Sequence, residues 1–169
     1  MAYCKYTECP YYKNSEYFPI DLESHNSKVL LVFQAPGIDE WEGNNKELGR
    51  VPVSSIKTHS AGKRIMNSLI RIGKSRSDFD YVETVRCYPG KGKIGRDKKP
   101  RKKAISLCSA HLKNDISKHN YSTIICFGKI AQKAVKNIIG DDSNVRIINR
   151  KHPNSRLTNS KLDKTLENV

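Results

Sequence analysis

The sequence has no long apolar run. Nothing in its 169 residues approaches the roughly eighteen consecutive apolar positions that a membrane-crossing helix needs, which excludes an α-helical membrane protein. The first residues, MAYCKYTECPYYK, lack an apolar core flanked by basic residues, so neither a secretory signal nor a transit peptide is expected. The expected compartment is the cytoplasm, where thiols stay reduced. There is no internal repeat and no shift in composition that would mark a second domain, so one domain spanning 1–169 and a monomeric state are expected. Acidic residues are scarce, 17 against 31 Lys and Arg, which leaves a formal net charge of +14. Such an excess argues for a polyanionic partner, because each cation near a phosphate releases a condensed counterion. The charge is concentrated: KGKIGRDKKPRKK, residues 91–103, holds eight basic residues and one acid. Nucleic acid is therefore the expected partner, with no membrane involved.

The remaining pattern alternates. The run 29–34, VLLVFQ, reads as a buried strand ended by Ala-Pro-Gly. Residues 61–74 place Ile65, Leu69 and Ile72 on one helical face. DYVETVR, 80–86, reads as a second strand, 103–118 as a helix, 122–127 as a third strand, and 129–139 as another helix ended by Gly140. A fourth strand at 145–149 and a short helix at 160–167 complete the chain. Nearly all-apolar strands alternating with helices predict an α/β fold, three layers with a central four-stranded parallel sheet. Residues 1–27 read as a cysteine-bearing arm and 90–103 as a basic, nucleic-acid-contacting loop. In open sheets of this class ligands bind beyond the carboxyl ends of the strands, so QAPGIDEWEG, RCYPG, FGKIA and RKHPNSR are the segments to examine.

Five cysteines occur, at 4, 9, 87, 108 and 126. Cys126 lies inside an apolar strand and reads as a small buried hydrophobe. Cys4 and Cys9 stand close together in the arm, Cys87 follows the second strand, and Cys108 sits on the next helix. Four thiolates so placed would tether the arm to the base of the basic loop, around either a tetrahedral zinc or an iron-sulfur cluster.

QAPG (34–37), Ala61-Gly62, V-x-C-Y-P (85–89), FGKIAQKAV (127–135) and HPNS (152–155), in this order, resemble the uracil-DNA glycosylase superfamily, and the cysteines between them resemble its iron-sulfur branch. That branch runs approximately G-E-A-P-G, G-x-P-F-V-G-x-A-G, N-V-V-K-C-x-P-P, L-G-x-x-A and H-P-S. The resemblance implies a DNA glycosylase acting on bacterial or phage DNA, with a 4Fe-4S cluster on Cys4, Cys9, Cys87 and Cys108, zinc being the lesser possibility. It also implies that His152 contacts the departing base, that Asn154, Ser155 and Arg156 follow against phosphate or in the minor groove, and that Ala35, Pro36 and Gly37 let backbone approach the sugar.

Three departures from the pattern are informative. Gln34 stands where the family has a water-activating glutamate, and an amide cannot accept a proton. Asp39 and Glu40 are the nearby carboxylates that could orient water or balance a sugar cation, Glu40 being preferred. Val53 occupies the place of the phenylalanine that stacks on uracil, so a different wall is expected, from Tyr88, Trp41 or His59. Glu83 aligns with the asparagine that reads uracil. A carboxylate accepts from the 4-amino group of cytosine but offers nothing to the 4-oxygen of uracil. The pocket is thus expected to favour a modified cytosine, hydroxymethylated or glucosylated as in some phage DNA, which would imply a defence role. Uracil repair and a DNA-binding relative that has lost catalysis are the alternatives.

Overall fold

The computed structural model describes residues 4–12, 18–45, 60–93, 95–140, 144–155 and 157–169. Its centre is a four-stranded, all-parallel sheet in the order β2-β1-β3-β4. Strands β1 (Val29–Phe33) and β3 (Thr123–Phe127) are interior. Both faces of each are covered, which is why they read as unbroken apolar runs. Strands β2 (Asp80–Glu83) and β4 (Arg146–Arg150) form the edges.

Alternate side chains feed two cores. On one face Leu31, Tyr81, Ile125, Phe127 and Ile148 meet Ile65 and Leu69 of α2 (Ala61–Arg71) and Leu162 and Leu166 of α5 (Asn159–Glu167). On the other, Leu30, Val32, Val82, Ile124 and Cys126 meet Leu112 of α3 (Lys102–Lys118) and Ala131, Ala134 and Val135 of α4 (Lys129–Ile139). Three layers result, as the alternating pattern predicts.

The sequence reading needs two corrections. The second strand ends at Glu83 rather than running to 86: Thr84 N–H makes the last ladder bond to the Phe33 carbonyl, at 2.8 Å, its hydroxyl joins the same oxygen at 2.8 Å, and Val85 N–H then shifts to the Gln34 carbonyl, at 3.1 Å, out of the ladder's register. Residues 38–45, read as loop, form helix α1 (Ile38–Asn45). Glu40 reaches back to accept the Gly37 N–H at 3.0 Å, the carboxylate half of a capping box, while Asp39 and Glu40 complement the helix dipole. Trp41, 2% exposed, anchors the helix inward.

The N-terminal arm is held along edge strand β2. Glu23 makes an isolated antiparallel bridge with Tyr81, and Ile20 N–H donates to the Arg86 carbonyl at 2.8 Å. Asp80, fully buried on β2, accepts from the N–H groups of His25 and Ser27 and the hydroxyls of Ser24 and Tyr121. Burial alone would push its carboxyl pKa up, but these four donors outweigh it and hold the pKa below the ordinary value.

Candidate functional site

Beyond the carboxyl ends of the strands, on the face carrying Tyr81 and Phe127, lies a cavity of about 1020 Å³. In a doubly wound sheet the chain leaves β1 for one side and returns through β3 on the other, which opens a crevice at that end. The segment after β1 lines it with Gln34, Ala35, Pro36 and Gly37, and α1 adds Asp39 and Glu40. Glu83, at the last position of β2, is 4% exposed and also lines the wall. His152 and Asn154 enter from the segment after β4.

Phe33, a wall residue absent from the sequence expectations, pairs in register with Glu83, so their side chains leave the same face of adjacent strands. Its ring stacks on fully buried Phe127, centroids 5.1 Å apart and planes 11° from parallel, while Phe33 itself is only half-buried. Phe33 and Tyr81 are the aromatic rings that line this cavity among the described residues. Trp41 and Tyr88, expected as alternatives, pack instead with the cysteines. Val53, His59 and Arg156 lie outside the described residues.

The His152 ring is fixed from several sides. Its Nδ1 accepts the Asn154 backbone N–H at 3.3 Å, which assigns the proton of the neutral ring to Nε2. Burial depresses its pKa below the ordinary histidine value, so the ring is neutral near pH 7. Ser155 donates its N–H and hydroxyl to the His152 carbonyl, at 2.8 and 2.6 Å, and stays exposed beside the cavity. From α2, Arg64 donates to the carbonyls of Pro153 and Leu157 and to Asn159 Oδ1, clamping the loop. The FGKIAQ segment acts on the same loop: Gly128 N–H and Gln132 Nε2 both donate to the Arg150 carbonyl, at 2.9 and 2.7 Å. Gly128 has φ +91°, a backbone conformation that side-chain-bearing residues rarely adopt, which is why glycine stands here; a Cβ would meet His152 Cβ only at an ordinary contact of 3.5 Å.

The basic segment folds back as a hairpin. Lys91 bridges Asp97 antiparallel, Gly92 N–H donates to the Arg96 carbonyl and Lys98 N–H to the Gly90 carbonyl. Lys91, Arg96 and Lys98, all exposed, line the cavity, which brings part of the segment's charge to it. Asp97, unremarked in the sequence, lines it too. Its signal was present, since it is the lone acid among eight basic residues.

The four cysteines expected to act together are brought together. Cys9, Cys87 and Cys108 are buried in one apolar group with Tyr11, Ile20, Trp41 and Tyr88, and Cys4 is half-buried. All are free thiols. Burial, then the neighbouring thiols Cys108, Cys9 and Cys4, push the Cys87 thiol far up; burial likewise raises Cys108, to about 11, although the Arg86 backbone N–H donates to it and opposes the rise. Four cysteine sulfurs within electrostatic reach of one another fit, in donor chemistry, a thiolate-ligated group. Among the described residues no three His, Cys, Asp or Glu side chains meet the geometry of a site for one metal ion. Cys126 stands apart in the core, as expected for a buried hydrophobe.

No helix among the described residues is long and apolar enough to cross a membrane. Compared with known proteins, residues 20–169 match the family model of the Uracil DNA glycosylase superfamily. No curated protein matches the chain.

Proposed function

The chain belongs to the uracil-DNA glycosylase superfamily, and from that premise we propose that it is a DNA glycosylase that hydrolyses the N-glycosidic bond of a flipped-out base, leaving an abasic site. The observation that carries the choice of base is Glu83: a carboxylate at the buried end of β2, on the cavity wall, in register with Phe33. A base lying against the Phe33 ring would gain stacking worth ~1–3 kcal/mol. Its Watson-Crick edge would then meet Glu83, which accepts from a 4-amino group and repels a 4-oxygen. The proposed substrate is a cytosine. The cavity, at the upper end of the roughly 300–1,000 Å³ usual for ligand pockets, has room for a substituent at its 5-position. A hydroxymethylated or glucosylated cytosine, as in some phage DNA, meets both conditions, and excision of such a base would serve defence rather than repair. His152, as a neutral Nε2–H donor, would stabilise the anionic departing base. Lys91, Arg96 and Lys98 would hold the phosphates at the cavity.

The test is a panel of duplexes carrying uracil, cytosine, 5-hydroxymethylcytosine or its glucosylated form, incubated with the protein and then treated with alkali. Strand breaks are expected at a modified cytosine, and Glu83→Asn is expected to move preference towards uracil by about 10-fold or more, the worth of one base-edge contact. Breaks only at uracil would give the chain a repair role. An unchanged preference in the variant would mean that the carboxylate does not read the base.

Cys4, Cys9, Cys87 and Cys108 would hold a 4Fe-4S cluster, which when bound would brace the arm against the base of the hairpin. Protein prepared without oxygen is expected to be brown, with about four irons and four labile sulfides per chain, and Cys108→Ser to lose both colour and iron. A colourless protein carrying zinc would show that the thiols hold a single ion instead.

A further inference from the structure

The glycosylase reading needs a base for the attacking water, and two obvious groups are unsuited. Gln34 is an amide, and Glu40 is committed to the N-terminus of α1, where its Oε2 caps the Gly37 N–H at 3.0 Å and its charge complements the helix dipole. We propose that Asp97, carried by the basic hairpin, is the water-activating carboxylate. The inference rests on the glycosylase reading and adds to it the residue that completes the reaction.

The geometry is specific. Asp97 Oδ1 accepts from the hydroxyl of buried Tyr88 at 2.9 Å and from Lys91 Nζ at 2.8 Å, so one oxygen of the carboxylate is held by two donors. Its other oxygen, Oδ2, is turned to the backbone after β1: a Cβ built on Gly37 would lie 3.8 Å from Asp97 Oδ2 and 3.9 Å from Glu40 Oε2. Two carboxylates therefore flank Gly37, both within ordinary contact of the place a side chain would take there, and both line the cavity. Asp97 is reachable from the cavity, its side chain 40% exposed, yet it is not adrift. A solvated acid that merely balanced charge in a basic segment would not need a buried tyrosine hydroxyl aimed at it.

The bond between the sugar C1′ and the base nitrogen breaks, and its electron pair leaves with the base, which His152 Nε2–H stabilises. Negative charge on Asp97 and Glu40 offsets the sugar cation. The water oxygen bonds to C1′, its proton passes to Asp97 Oδ2, and that proton is afterwards returned to the base anion through solvent. Lys91, bonded to Asp97 and lining the cavity, links phosphate binding to the placement of this carboxylate.

The experiment measures single-turnover cleavage of the duplex that the wild-type protein cleaves best, together with affinity for the same duplex, for wild type, Asp97→Asn and Asp97→Glu. Asp97→Asn is expected to slow cleavage about 100-fold or more, the usual worth of a positioned general base, with DNA binding undiminished or tighter because a negative charge has gone. Asp97→Glu should recover part of the rate, which a purely structural role would not allow. Cleavage by Asp97→Asn at the wild-type rate would overturn the assignment alone. So would a rate loss equal in both variants and matched by weaker DNA binding. A wild-type protein that cleaves no member of the panel would overturn the glycosylase reading, and this assignment with it.

Discussion

Replacing His152 with alanine is expected to slow base release about 100- to 1,000-fold while leaving affinity for duplex DNA within a few-fold of wild type. The expectation follows from where the ring sits and which of its atoms is free. The Asn154 N–H occupies Nδ1, so the neutral ring carries its proton on Nε2, and a donor aimed at an anion that forms only as the bond breaks acts on the transition state and little on binding. One such donor in a preorganised site is worth roughly 2.7–4 kcal/mol, which is the stated range of rate. His152→Gln, which retains an N–H donor at similar reach on a more flexible arm, should fall between the two. The pH dependence separates this role from that of an imidazolium. Burial lowers the His152 pKa, so the neutral donor outlasts that of an ordinary histidine as pH falls, and any loss of rate from its protonation should set in below the ordinary value of about 6.5. A rate that rises on acidification through 6.5 and loses that rise in His152→Ala would mean that the charged ring is the active form.

The support around His152 shows what a linear reading can and cannot reach. HPNS and FGKIAQ were legible as segments, because Pro, Gly and His after a strand stand out against apolar runs. That Gly128 and Gln132 converge on the Arg150 carbonyl, or that Arg64 spans from α2 to the loop, depends on packing between elements and leaves no periodic trace. The interior strands were legible for a simple reason: burial on both faces demands apolar residues at every position. Helix α1 was not, since Trp41 is its one buried side chain among those described and Gly43, Asn44 and Asn45 are poor helix formers; its start is held by the Glu40 cap. Trp41 also illustrates the limit of reading aromatics as pocket walls. A lone tryptophan after a strand is available to either side, and here it faces the cysteines, while Phe33, hidden at the end of an apolar run, faces the cavity. Asp97 reads as charge balance until the hairpin closes and sets it opposite Gly37.

Arg86 carries the largest expected effect on stability. Arg86→Met is expected to cost about 3–5 kcal/mol, a fall in melting temperature of roughly 6–20 °C for a chain of this size. Its guanidinium bonds Asp115 Oδ2 at 2.6 Å, with the two side chains only 13% and 9% exposed, and Asp21 Oδ1 at 2.5 Å, with Asp21 81% exposed. The exposed partner contributes little, since water and salt screen it. The buried one decides the outcome, because removing Arg86 strands a carboxylate inside the protein. Its Nε has no partner among the described residues, so the intact pair is itself imperfectly satisfied and its net gain over apolar packing is small. Arg86→Met combined with Asp115→Leu should therefore recover most of the lost stability, whereas Arg86→Met alone should not. Recovery would separate the cost of an orphaned charge from any need for arginine as such. The backbone of Arg86 meanwhile joins three parts: its carbonyl takes the Ile20 N–H of the arm, its N–H donates to Cys108 of α3, and Cys87 follows it directly. A single mutant that melts within about 2 °C of wild type would show that Asp115 finds water or another cation once Arg86 is gone.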